Sequence, residues 1–203
     1  MMIRLSVVST LFLLSGGCQD EVIVYRVPKE TGKRGQSSLT VASVQQRPTW
    51  QTPKDWSPQK VAADGIRKAA WHLSNAEEAT IGDVTVVSFP GDGGGLLANV
   101  NRWRRQIGLG PIDSDALATM GRTITVGRFK AFYISLEGGE TEADARTGPQ
   151  SIRACIVKAD DTTWFFKMKG DTPLVNAQEE PFLTFLKTVE FTPGPSILLT
   201  NPE

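Results

Sequence analysis

Residues 87–111 read VSFPGDGGGLLANVNRWRRQIGLGP, and no other stretch limits the fold as much. The strand expected over 82–89 is apolar on both sides, with Val84 and Val86 on one and Val87 and Phe89 on the other. A strand of that kind sits inside a sheet that is covered above and below. Pro90 and the run Gly91-Asp92-Gly93-Gly94-Gly95 then stop regular structure. Leu96, Val100, Trp103 and Ile107 follow at i, i+4, i+7 and i+11, one apolar stripe of a helix lying on a sheet. A doubly buried strand feeding such a helix calls for a layered fold.

The rest of the chain supplies the layers. Alternation predicts strands over 69–73, 122–126 and 129–136, another through Ile152, Ala154 and Ile156, and one over 163–168. Gly127-Arg128 and Asp160-Asp161 read as tight turns between neighbours, so the strands run mostly antiparallel. A short helix is expected over 114–120 with Asp113 or Ser114 as N-cap, and a last one over 173–189 carrying Phe182, Phe185, Leu186 and Val189. The expectation is an α+β fold: a mostly antiparallel sheet of about six strands with helices packed on it, an α/β/α sandwich. Trp50 and Trp56, set around a proline turn, read as caps on a core edge. At 203 residues and 40% hydrophobic, the chain has room for one sizeable core.

Before that domain comes an export signal. In MMIRLSVVSTLFLLSGGC, Arg4 precedes an apolar run too short to span a bilayer, and small residues lead directly to Cys18. This resembles the bacterial lipoprotein cleavage box, which implies a leader of residues 1–17 and acylation of Cys18. Residues 18–48 are polar and aperiodic, a tether with a reach on the order of 30 Å. The domain is expected over 49–192, with a loose tail over 193–203. The implied place is a lipid-anchored membrane protein facing the periplasm, on the outer side of the cytoplasmic membrane. Gln19 after the cysteine favours the outer membrane in a cell with two. With Cys18 acylated, Cys155 has no intramolecular partner and reads as a buried small hydrophobe.

Lys54-Asp55-Trp56, the segment WFFKMKG at 164–170 and FLTFLKTV at 182–189 give residues 50–191 an order that resembles the PsbP-like fold. That resemblance implies an accessory, protein-binding role rather than catalysis. The segment GGGLLANVNRWRRQIGL is similar to one in a group of bacterial lipoproteins of unassigned role, of planctomycete type.

The same segment holds the candidate site. Its spacing fails both phosphate fingerprints: no Gly-Lys-Ser/Thr follows, and Leu96 stands where the dinucleotide pattern needs glycine. What packing leaves unexplained is a polar helix face. Asn99, Arg102 and Gln106 form one stripe and Asn101 with Arg105 another; asparagine is a weak helix former, and arginine suits protein interfaces. The expected contact surface is Asn99, Arg102, Arg105 and Gln106 with Asp92, Gly93, Gly94 and Gly95. The plainer alternative is a solvated helix face.

Other classes find less support. Without residues 1–17 the chain has 21 basic and 22 acidic side chains, net −1, and no basic stripe for nucleic acid. A single histidine, His72, and no zinc spacing leave no metal or cofactor to expect, and Asp92 with Glu137 or Asp83 lacks calcium-loop spacing. No catalytic residues are assigned. The alternative function is a small hydrolase using Asp92 and His72, or an anion- or ligand-binding protein built on the loop 91–95.

Overall fold

A computed structural model describes residues 47–63, 65–139 and 148–192. The expected leader, Cys18, the tether up to residue 46 and the tail from residue 193 lie outside the described residues. The chain runs β1 (Arg47–Thr49), β2 (Ser57–Pro58), β3 (Arg67–Asn75), β4 (Thr80–Pro90), α1 (Leu96–Arg105), α2 (Ser114–Met120), β5 (Gly121–Val126), β6 (Phe129–Glu137) and β7 (Gln150–Ala159). It continues through β8 (Thr162–Asp171), α3 (Thr172–Ala177), α4 (Glu179–Lys187) and β9 (Glu190–Thr192).

Seven strands form one sheet in the order β2-β3-β4-β8-β7-β6-β5, every pair antiparallel. The β3–β4 hairpin is thus joined to a β5–β8 meander by pairing β4 against β8, which follows it by some seventy residues. The α+β expectation holds, with seven strands where about six were expected. The extra one, β2, has two residues, too few to alternate. Likewise β1 and β9 make a separate three-residue ribbon, Arg47 opposite Thr192, that the sequence did not announce.

Alternate side chains of the long strands go to opposite faces. On one face Trp71, Val84, Phe166, Met168, Cys155 and Tyr133 join Leu174 and Val175 of α3 and Phe182, Phe185 and Leu186 of α4 in one buried cluster. It spans the sheet from β3 to β5. Trp56 lies within it, 5.1 Å from the Phe185 ring, with its indole N–H donating to Gln178 Oε1 at 3.0 Å, so this tryptophan does cap the core. Cys155 is fully buried, and burial pushes its thiol up to about 12. On the other face Val100, Trp103 and Ile107 of the α1 segment and Leu117 of α2 cover Ile134, Leu136, Ile152, Ala154 and Phe165, which belong to β6, β7 and β8.

Two local expectations are corrected. The single helix over 173–189 is two helices that break at Gln178 (φ −94°, ψ 2°). Pro181 is the reason: it has no N–H for the Ala177 carbonyl four residues back, and its ring would collide with that carbonyl. The chain restarts with Phe182 N–H on Gln178 O at 2.9 Å. The apolar stripe of α1 also loses its first member, because Leu96 is 36% exposed.

Candidate functional site

The glycine loop is pinned to the neighbouring hairpin. Gly91 N–H donates to Asp161 O at 2.7 Å, and the Thr163 hydroxyl donates to Gly91 O at 2.6 Å. Gly93 lies on Phe165: a Cβ there would fall 2.7 Å from the ring, so only glycine fits. Gly94, where a Cβ would lie 4.0 Å from the Asn99 amide, and Gly95, in open space, have φ of 88° and 80°, positive values that glycine adopts without strain. Asp92 turns the loop by accepting from Gly94 N–H at 3.0 Å. A neighbouring ring and the turn itself therefore account for the glycines.

Asn99 is the main correction. Expected on an exposed stripe, it is 2% exposed. Its amide donates to Gly93 O at 3.0 Å and Gly95 O at 2.7 Å, and its Oδ1 accepts from Arg102 Nη1 at 3.0 Å. Carbonyls turned inward need donors: the Asn99 side chain supplies one to Gly93 O and adds a second to Gly95 O, which also takes the Asn99 backbone N–H at 3.3 Å. Asn101 does the same at the other end of α1: it gives to Ile112 O at 2.9 Å and takes from Ile112 N–H at 2.8 Å. Both asparagines are latches, which is why they occupy a helix despite poor propensity. Of the expected surface, Asp92, Gly94, Arg102, Arg105 and Gln106 are exposed and Gly93 and Gly95 are half-buried.

Beneath the start of α1 is an apolar slot of about 270 Å³. Phe132 and Ile156, paired across β6 and β7, form its floor with Phe165; Leu96 closes one side, and Lys130 and Lys158 stand at the rim. The exposed Leu96 thus lines this slot instead of the core. Past the other end of α1 no helix among the described residues covers the sheet. Thr85 and Asp83 of β4 pair with Lys167 and Lys169 of β8, and Lys167 Nζ reaches Gln106 Oε1 at 3.0 Å. Burial, then Lys169, Arg67 and Arg102, lower the Lys167 ammonium to about 8.

His72 is not brought to Asp92. It lies opposite Asp83 with Nδ1 to Oδ1 at 3.3 Å, and Pro90 is seven residues further along β4, roughly 23 Å away at the usual strand rise. Among the described residues no group of three or more His, Cys, Asp or Glu is placed to hold a metal ion. No helix among them is long and apolar enough to cross a membrane.

Sequence reasoning passed over one network entirely. Arg153, 3% exposed at its side chain, lies on the α3/α4 face. Its Nε donates to Glu179 Oε2 at 2.8 Å, and its Nη2 donates to Glu137 Oε1 at 3.2 Å and to Asn176 Oδ1. Tyr133 gives its hydroxyl proton to Glu179 Oε1 at 2.9 Å. Burial raises the Tyr133 hydroxyl well above its ordinary value. For Glu179 burial works upward too, yet the Arg153 and Tyr133 hydrogen bonds outweigh it and hold the carboxyl below the usual range. The one signal was Arg153 itself, a lone charge in the apolar run IRACIV.

No family model matches the chain, and no curated protein matches it. Solved structures similar to it include LpqN of Mycobacterium tuberculosis, involved in cell envelope biogenesis: 10% identity over 73% of this chain and 85% of that one, TM-score 0.44. A cyanobacterial PsbP (CyanoP) from Synechocystis sp. PCC 6803 has 11% identity over 80% of this chain and 99% of that one, TM-score 0.45. A Bacteroides thetaiotaomicron protein has 12% identity over 71% of this chain but only 45% of its own length, TM-score 0.42.

Proposed function

We propose that this chain is a lipid-anchored accessory protein of the bacterial envelope that binds a partner protein without catalysis, using the α1 side of its sheet. The observation that carries the reading is the unequal cover of the two faces. One face is roofed from β3 to β5, whereas among the described residues α1 and α2 cover β6 to β8 and only the Val87–Phe89 end of β4 on the other. Beside α1 lie an apolar slot, rimmed by Lys130 and Lys158, and the exposed Arg102, Arg105 and Gln106. A pocket for an apolar anchor next to planar cationic donors is the composition of a protein interface. Cys18 as an acylated anchor, a tether over 18–48 and a location on the outer membrane complete the reading. They rest on the leader and on Gln19, and the segment GGGLLANVNRWRRQIGL supports a place among the planctomycete-type lipoproteins.

The test places a photo-crosslinking residue at position 105 or, as control, at exposed Lys187 on α4. Irradiated in its own membranes, the position-105 protein is expected to form one adduct that the Arg102→Glu change removes. Equal adducts from both positions, or one that survives the charge reversal, overturn the contact surface. For the anchor, Cys18→Ser is expected to move the protein from the membrane to the soluble fraction.

A further inference from the structure

We infer that the bare half of the sheet, around Arg67, Lys167 and Lys169, is a binding site for a phosphate group. The site goes beyond the α1 contact surface and uses different residues. A concavity of about 280 Å³ opens there, room for about nine waters at their liquid volume of roughly 30 Å³. Four adjacent strands line it, β3, β4 and β8 with Gln150 at the start of β7. Arg67 of β3 stands opposite Val87 of β4; two residues back on the same face Thr85 stands opposite Lys167 of β8, and two further Asp83 stands opposite Lys169. Arg67 and Lys167 lie two strand spacings of about 4.8 Å and two residues of strand rise apart, a separation that two long side chains can span to reach one tetrahedral group.

The charges do not balance from within. Among the described residues none of Arg67, Arg102, Lys167 and Lys169 has a carboxylate within 4.0 Å. The carboxylate in the concavity, Asp83, already holds His72 Nδ1 at 3.3 Å and Gln59 Nε2 at 3.1 Å. Lys167 is half-buried against α1, its amine on Gln106, and the Arg102 charge faces it from the same helix. Like charges held together at a partly desolvated place raise the energy of the empty site, and a divalent oxyanion lowers it through charge-assisted hydrogen bonds. Arginine offers the planar fork for phosphate oxygens and the lysines offer point charges.

The experiment titrates the full-length chain, carrying Cys18→Ser, with three probes at low salt. Glycerol 3-phosphate and inorganic phosphate represent free phosphate; dihexanoyl phosphatidylglycerol represents a lipid headgroup; dihexanoyl phosphatidylcholine is the zwitterionic control. At least one phosphate probe is expected to bind more tightly than the control, and to weaken about tenfold or more when Lys167→Gln and Lys169→Gln remove two charge-assisted contacts. Side-chain NMR of Lys167 is expected to show its amine titrating at higher pH with the probe bound. Whichever probe binds identifies the source. Equal binding by the double variant, or no probe exceeding the control, overturns the site. The crosslinking at position 105 does not depend on these lysines, so either idea can fail alone.

Discussion

The two faces of one sheet have been built by different rules. On the α3/α4 side aromatic rings interlock across the full width of the sheet, and the one strong charge, Arg153, is met by Glu179, Glu137 and Asn176. On the α1 side the cover stops half-way; where it stops, Arg67, Lys167 and Lys169 crowd together without acidic partners among the described residues. A buried charge whose partners are all present is tolerated by the fold, whereas one left unanswered raises the energy of the folded state until a counter-charge arrives. On the proposed reading, the contrast separates the half of the domain that holds the structure from the half that would meet other molecules.

The contrast breaks most visibly at Arg153. Truncating it to Ala strands Glu179 beside Tyr133 and is expected to cost about 3–5 kcal/mol in chemical denaturation. A loss under about 1 kcal/mol would mean that the network is ornamental. Phe185→Ala, which empties the middle of the ring cluster, belongs to the same range of about 3–5 kcal/mol. On the other face Asn99→Ala takes the side-chain donor from the Gly93 carbonyl and leaves the Gly95 carbonyl only the backbone N–H of residue 99, and is expected to cost about 1–3 kcal/mol. Arg102→Glu, by contrast, loses one hydrogen bond to Asn99 Oδ1 and is expected to cost no more than about 1 kcal/mol while removing the crosslink from position 105. A much larger loss of stability in that variant would return Arg102 to a structural role.

Stability against pH sharpens the comparison further. The unfolded chain keeps a proton on Lys167 up to its ordinary 10.5, and the folded chain keeps it only to about 8. Between those values the unfolded state binds more protons, so stability rises with pH. From pH 9 Cys155 acts in the opposite sense: buried, it holds to about 12 a proton that the unfolded thiol loses at 9.0. The window from pH 8 to 9 therefore belongs to Lys167. A rise in the denaturation midpoint there, flattened by Lys167→Gln, is expected; an unchanged slope in the variant refutes the crowding of charge. The same burial predicts that the Cys155 thiol resists alkylation until the chain unfolds.

Much of this was legible from residues alone. Alternation in WFFKM and the spacing of Phe182, Phe185 and Leu186 are local signals, and they predicted the covered face correctly. The Asp113 cap of α2, its carboxylate accepting from Ala116 N–H at 2.9 Å, was equally local. The open half was not legible because it depends on β4 lying beside β8, a pairing between distant segments that no nearby residue encodes. Asp83, Thr85, Lys167 and Lys169 look like ordinary polar strand positions until that pairing sets them side by side. Asn99 misled for a related reason. Periodicity placed it among polar residues, but the need of a glycine loop for donors drew it inward. Pro181 was readable and was passed over, since the apolar spacing runs on through the break.

The small ribbon of β1 and β9 has a mechanical consequence. Arg47, where the described domain begins, pairs with Thr192, where it ends, so both chain ends leave from the same end of a three-residue ladder. If the proposed anchor and partner held the two sides, a pull on the residue before Arg47 would load those rungs one after another instead of all together. The load would next meet Trp50 and Trp56, seated among Trp71 and Phe185. Tension would thus be shed through a few expendable hydrogen bonds before it reached the sheet, as in a fuse ahead of a circuit.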